Sequence, residues 1–215
     1  MLLFLSMQKI NPDDLKQKID ADLISQKISG RILLDRFSVI DEDSRKTAAY
    51  LDHKYASFYY YLGKYVAPIS VMEIGFSLGL LSASFFISCR DAKKFLGFKE
   101  TTSEFVTPRL GKRNIRSVFK KDATFYTGTL YDQEFDKVFS PNSWDLIILN
   151  EETVYDKHLE YLEFVWPHVS EHGFVVAEYI TRHGPAKDAF FAFSESKNRQ
   201  PLLFETRYGT GLLQK

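Results

Sequence analysis

Four short runs, Ser70–Ile74, Phe95–Phe98, Asp145–Leu149 and Gly173–Ala177, constrain this chain more than any other feature. Each is largely apolar along its whole length, and helical patterns lie between them. A strand with one face in water alternates apolar and polar residues, whereas a strand apolar throughout must be covered on both faces. Covered strands that alternate with helices make a parallel sheet flanked by helices, an α/β fold.

The remaining pattern fits that frame. Helices are expected over Asn11–Ile28, Asp43–Val66, Leu78–Ser88, Ser103–Phe119, Tyr155–Val169 and Pro185–Ser196. Further strands are expected at Thr124–Thr127, Leu202–Thr206 and Gly211–Gln214. In the first helix Asn11 can cap, Pro12 suits the first turn, and Leu15, Ile19, Leu23 and Ile24 fall on one stripe. The second is dense in tyrosine, with Tyr50, Tyr55, Tyr59, Tyr60, Tyr61 and Tyr65. Such a stripe is core packing in its plain reading and a substrate-facing surface in its sharper one. Residues 1–67 are read as a helical extension on the substrate side, and residues 68–215 as the sheet domain.

Lys plus Arg and Asp plus Glu number 28 each, so the formal net charge is zero and a dedicated nucleic-acid binder is not expected. Arg109, Lys112, Arg113, Arg116, Lys120 and Lys121 form the one basic stretch, read either as a solvated helix face or as a patch for an anionic acceptor. The single cysteine, Cys89, sits in an apolar run, reads as a small buried hydrophobe and suits a reducing compartment. The opening MLLFLSM is short for a secretion signal and has no basic residue ahead of it, and no stretch reaches the ~18 apolar residues of a membrane span. A cytoplasmic protein is expected, its oligomeric state left open.

In open parallel sheets ligands bind beyond the carboxyl ends of the strands, where strand order reverses. The first strand of the sheet runs into Glu73-Ile-Gly75-Phe-Ser-Leu-Gly79 and then a helix. Gly75 permits a tight turn, and Gly79 permits close approach of a ligand or close packing of helix on strand. The helix start offers free N–H groups, and Glu73 suits ligand hydroxyls or an ammonium. The spacing is not that of G-x-G-x-x-G, because Gly75 and Gly79 lie four apart, which disfavours a dinucleotide-binding oxidoreductase.

VMEIGFSLGLLSASFF resembles the first motif of class I S-adenosylmethionine-dependent methyltransferases, an acid-x-Gly-x-x-x-Gly after strand one. WDLIILNEETVYDKHLEYLEFVWPHVSEHGFVVAEYI is similar to the segment of small-molecule O-methyltransferases that runs from strand four to strand five. HGPAKDAFFAF resembles the next loop and helix, and RYGTGLLQK the closing strand. The resemblance covers Val71 to Lys215. It implies a Rossmann-like, mostly parallel seven-stranded sheet in the order 3-2-1-4-5-7-6, with S-adenosyl-L-methionine as cofactor. By it Glu73, Gly75, Phe76, Ser77 and Gly79 would line the methionine and ribose part of the pocket. Glu100 would hold ribose hydroxyls, Gly128, Thr129 and Leu130 would border the adenine, and Asn150 would lie beneath the methyl group. The activity implied is methyl transfer to a hydroxyl of a small molecule or sugar.

Three positions depart from the family pattern. Lys99 stands where the strand-two acid usually falls, with Glu100 one residue late; Thr129 and Asn150 replace acids at the ends of strands three and four. Metal-dependent members hold a divalent cation through acids at positions that here carry Asn150 and Glu178. Hard cations prefer several carboxylates, so no metal is expected. A hydroxyl acceptor then needs a protein base. The catalytic candidates are His183 after strand five as base, Asn150 orienting the acceptor and Glu151 as a carboxylate alternative, with His158 a further possibility. The lost acids keep a second reading open, a methyltransferase-like binding or scaffold protein without catalysis.

Overall fold

The computed structural model describes residues 9–25, 27–28, 54–100, 108–151, 154–180 and 184–215. Helix α1, Pro12–Ser25, starts where the Asn11 side-chain oxygen accepts the backbone N–H groups of Asp13 (2.9 Å) and Asp14 (3.2 Å), a helix cap. Leu15, Ile19 and Leu23 are buried at i, i+4 spacing, but Ile24, expected on the same stripe, is exposed. Helix α2, Tyr55–Val66, stops at Ala67, which adopts a left-handed φ of 44° just before Pro68. The earlier part of the expected tyrosine-rich helix lies outside the described residues.

From Ser70 onward strand and helix alternate: β1 Ser70–Ile74, α3 Leu80–Ser88, β2 Lys94–Glu100, α4 Pro108–Val118, β3 Asp122–Gly128, α5 Gln133–Phe139, β4 Trp144–Leu149, α6 Tyr155–Val165, a 3-10 turn at Trp166–His168, β5 Val169–Glu178, α7 Gly184–Ser196, β6 Leu202–Phe204 and β7 Thr210–Gln214. The seven strands order as β3-β2-β1-β4-β5-β7-β6. The β1–β2, β1–β4, β2–β3 and β4–β5 pairs are parallel, and β7 runs antiparallel to both β5 and β6. This is the α/β sheet and strand order the sequence implied, with β1 inside the sheet, at the reversal of strand order.

Helix α5 is new. Only Phe135 and Phe139 are buried on its seven residues, too short a period to stand out in sequence. The last turn expected of the helix before β5 is instead the 3-10 turn, and β5 begins at Val169, with a register slip against β4 and His172 at φ 65°.

Two apolar layers cover the sheet. Val71, Phe95, Leu146, Ile148, Phe174, Val176 and Leu212 point to the layer of α1, α2, α3 and α4. Met72, Ile74, Leu96, Phe98, Ile147, Leu149, Val175, Ala177 and Leu213 point to the layer of α5, α6 and α7. Because α2 shares the first layer with the sheet, the helical extension and the sheet domain have one continuous core. On the surface of α4, Arg109, Arg113 and Arg116 are exposed, as are Lys120 and Lys121 beyond it, while Asn114 and Ile115 are buried, the pattern of a solvated face. Cys89 is buried in the first layer, and burial pushes its thiol up to about 11. Among the described residues no helix is long and apolar enough to cross a membrane.

Candidate active site at the carboxyl edge of the sheet

The period of two along a strand decides which polar side chains meet at its end. Glu73 follows Val71, Asn150 follows Leu146 and Ile148, Glu178 follows Phe174 and Val176, and Thr210 precedes Leu212, all on the face of the first layer. Four polar residues from four strands are therefore delivered to one place, beneath the first turn of α2.

There they form one hydrogen-bonded network. Glu73, fully buried, accepts from the Ser82 hydroxyl and from Asn150 Nδ2 at 3.0 Å. Asn150 Oδ1 accepts from the Tyr55 hydroxyl at 3.3 Å. Glu178, also fully buried, accepts from the Tyr59 hydroxyl and, with its two oxygens, from Thr210 Oγ1 at 3.0 and 3.1 Å. Tyr55 hydrogen-bonds Glu178 as well, so one phenol stands between the ends of β4 and β5. Burial disfavours the charged form of both acids. It carries Glu73 to about 7 and Glu178 to about 8, against the hydroxyl and amide donors, which pull the other way. The Tyr59 phenol is itself held well above its ordinary range by burial and then by the Glu178 charge. Tyr55 packs edge-on against Tyr59 at 5.5 Å and Tyr208 at 6.1 Å, and Tyr208 stacks on Tyr179 at 5.1 Å. Tyr179 adopts a left-handed φ of 66°, a conformation that favours glycine, which turns the chain out of β5.

On the other side of the β1 loop lies a second cluster. Glu100 accepts from Tyr161 at 2.5 Å and pairs with Lys157 at 3.2 Å. The β2–β3 register runs unbroken to Glu100, so no bulge turns it back: Glu100 faces α6 and Lys99 the opposite layer. Glu151, half-buried, takes a longer contact from Tyr161 at 3.3 Å and is raised by burial, which the nearby Lys99 charge partly offsets.

The loop between β1 and α3 is built around Phe76. Its ring is buried against Phe125 at 5.2 Å and Phe95 at 5.8 Å. A Cβ on Gly79 or Gly97 would lie 2.9 Å from that ring, and one on Gly111 2.8 Å. The space at Gly79 thus serves close packing of helix on strand, the second of its two expected roles. Gly75, at φ 84°, could not carry a side chain, because a Cβ would run into the Asn150 carbonyl and the Glu151 side chain. Phe76 can offer a ligand only its backbone, and its N–H is already given to Phe98 O at 2.9 Å.

Beyond β3, Thr129 is exposed and its backbone and hydroxyl both donate to Asp132, while Leu130 is buried in the second layer among apolar side chains. Gly128 leaves room for the Asp132 carboxylate to fold back over it. His158 is buried within the fold, where burial lowers it to about 4 and keeps it neutral. His183 lies outside the described residues. Tyr155 is exposed at the start of α6, and the tyrosine that touches Asn150 is Tyr55. Tyr55 and Tyr59 belong to the tyrosine stripe whose sharper reading is a substrate-facing surface, though neither is assigned a partner there; Ser82 and Thr210 are not among the sequence candidates, and no sequence signal marks them. Among the described residues no cluster of three or more His, Cys, Asp or Glu is placed to hold a metal ion.

The fold is that of the class I methyltransferases. Solved structures similar to it include a Staphylococcus aureus protein assigned as a caffeoyl-CoA O-methyltransferase, at 14% identity, TM-score 0.62, covering 94% of this chain and 99% of that one. The methyltransferase PaMTH1 of Podospora anserina, solved with S-adenosylhomocysteine, shares 13% identity at TM-score 0.62, over 97% of each chain. CalS11, a TDP-rhamnose 3'-O-methyltransferase of calicheamicin biosynthesis, shares 13% identity at TM-score 0.55, over 100% of this chain and 99% of that one. No family model matches the sequence, and no curated protein matches it significantly.

Proposed function

We propose that this chain binds S-adenosylmethionine across the Glu73–Gly79 loop and transfers its methyl group to a hydroxyl of a small molecule or sugar. The observation that carries the reading is the convergence at the strand-order reversal of a side-chain-free turn at Gly75 with half-buried carboxylates on either side of it. Glu100, at the end of β2, can take the two donors of a ribose diol, and Glu151, over Gly75, can take an ammonium. Asn150 lies between them and the buried acids, where its amide can orient an acceptor oxygen. When bound, the cofactor supplies a methyl group on a positively charged sulfur. The chain's contribution is to hold that group in line with the acceptor, exclude water and take up the acceptor's proton. The solved neighbours support the reading by their names and their bound product.

The side-chain assignments refine the expectations. Glu151 faces Lys99, Tyr161 and Gly75, which suits a cofactor contact better than a catalytic base. Phe76 and Leu130 act as packing, with Gly75, Ser77, Gly128 and Thr129 left to shape the pocket's rim. The rival, a binding protein without catalysis, is favoured by one feature: Glu151 lies across Gly75, and Glu100 is engaged by Tyr161 and Lys157, so a ligand must displace the chain's own contacts. Calorimetry with S-adenosylmethionine and S-adenosylhomocysteine tests the cofactor reading, with Glu100→Gln as the variant. Gly79→Val is a poor probe, since it would first collide with Phe76. Binding by the parent, weakened tenfold or more in Glu100→Gln, supports it; no binding of either compound overturns it. Release of methylated product over a panel of sugars and phenols, retained after exhaustive chelation, separates a metal-independent enzyme from the binding protein.

A further inference from the structure

Two fully buried carboxyls at a sheet edge are costly unless they are used. Glu73 is explained by the loop it braces, through Ser82 and Asn150. Glu178 ties the end of β5 to β7 through Thr210 and to α2 through Tyr59 and Tyr55, but one of these donors is shared: Tyr55 also reaches Asn150 at 3.3 Å. A phenol has a single proton to donate. When Glu178 is ionised, Tyr55 gives that proton to Glu178 and leaves Asn150 Oδ1 open; when Glu178 is neutral, Tyr55 is available to Asn150.

Resting on the methyl-transfer reading above, we infer that Glu178 is the proton acceptor of the reaction, reached from the acceptor hydroxyl through Tyr55. The acceptor's O–H proton passes to Tyr55 Oη as the phenol's own proton passes to the Glu178 carboxylate. The electron pair left on the acceptor oxygen forms the new O–CH3 bond, and the pair of the broken S–CH3 bond stays on sulfur. Charge balances, because one sulfonium and one carboxylate become a neutral thioether and a neutral carboxylic acid. Tyr55 touches the acceptor in this scheme, while Tyr59 and Thr210 are positioning residues that hold the carboxylate. A base titrating near neutral suits this task, and Glu178 ionises at about 8. The titratable groups that act on it most among the described residues are Tyr59, Tyr55 and Glu73, with Tyr179 acting on Tyr59 beside it.

The scheme has a consequence before any chemistry. A positive sulfur at the mouth favours the ionised form of a nearby acid. Binding of S-adenosylmethionine should therefore drive a proton off Glu178, and binding of neutral-sulfur S-adenosylhomocysteine should not. Calorimetry of the full chain at pH 7.5 in two buffers of different ionisation enthalpy reads this directly. The expected result is release of up to about one proton more with the first compound than with the second. That difference should fall to a small remainder, the share of Glu73, in Glu178→Gln, and most of it should persist in Glu73→Gln and in Glu178→Asp. An infrared titration without ligand checks the same group: of the protonated-carboxyl bands lost on raising the pH, the one lost through about pH 8 should be missing from Glu178→Gln, while the one lost through about pH 7, from Glu73, remains. A difference abolished by Glu73→Gln but kept in Glu178→Gln overturns the assignment, as does equal proton release with both compounds. If neither compound binds the parent, the cofactor reading falls, and this inference with it; binding with no difference sinks the inference alone.

Discussion

At the scale of residues, Glu73 and Glu178 tie stability to pH. Each ionises near 4.5 as an ordinary glutamate, and at about 7 and about 8 in the fold, raised first by burial. Between those values the folded chain holds protons that the unfolded chain has released, so the sign is fixed. Their contribution is fully present below about pH 4.5 and is lost as pH rises through 7 and 8. Each group can steepen the fall by at most about 1.4 kcal/mol per pH unit. Denaturant melts at pH 6 and pH 9 should therefore show the parent losing stability, with a smaller loss in Glu178→Gln and in Glu73→Gln. An unchanged loss in both variants would mean that these carboxyls stay ionised in the fold. Tyr59→Phe removes a hydroxyl that favours the charged form of Glu178, and should push its titration further up.

At the scale of elements, the loop from β1 into α3 works as a packing joint. Phe76 is received by three positions without side chains, Gly79, Gly97 and Gly111, on three different parts of the chain. A methyl at Gly111 would also press on the Ser77 carbonyl. Gly111→Ala should cost about 1–3 kcal/mol by overpacking, measured by chemical denaturation. Gly184→Ala is the control: it is exposed at the start of α7, nothing lies within 4 Å of its Cβ position, and its effect should stay within about 1 kcal/mol of the parent. Equal costs would show that Phe76 has room to shift. This joint marks the boundary of what the sequence made legible. The glycines at 75 and 79 were visible and their place in the loop was right, but Gly97 and Gly111 stand in a strand and a helix with no turn signal. The parallel sheet followed from the continuous apolar runs, because burial on both faces requires helices on each side, whereas the strand order came only from the resemblance to class I methyltransferases. The tyrosine-rich helix was expected on the substrate side, yet which of its tyrosines would reach Asn150 and Glu178 was not legible. That depended on how α2 crosses the sheet, which rests on shape matching such as the Gly63 contact with Phe85 and Ser88.

At the scale of the molecule, one architecture supports two opposite demands. The sheet interior is closed by apolar layers on both faces, while its carboxyl edge gathers Glu73, Glu178, Glu100 and Glu151 with only Lys99 and Lys157 as cationic company among the described residues of these clusters. An edge with more carboxyls than cations favours a ligand that brings positive charge, which a sulfonium and an ammonium both do. The two kinds of ligand should then separate in salt and in stability. A ligand present at a hundred times its dissociation constant adds about 2.7 kcal/mol to the folded state. For a chain of this size that corresponds to a rise in Tm of roughly 5–10 °C. S-adenosylmethionine should raise Tm by more than S-adenosylhomocysteine at equal concentration, because only the former carries the sulfonium, and the gap should narrow in Glu178→Gln, which removes one of the carboxylates. A thermal-shift series with both compounds at low and high salt measures this. If the two shift Tm equally in the parent, the acidic edge does not discriminate by charge, and Glu73 and Glu178 remain neutral in the complex.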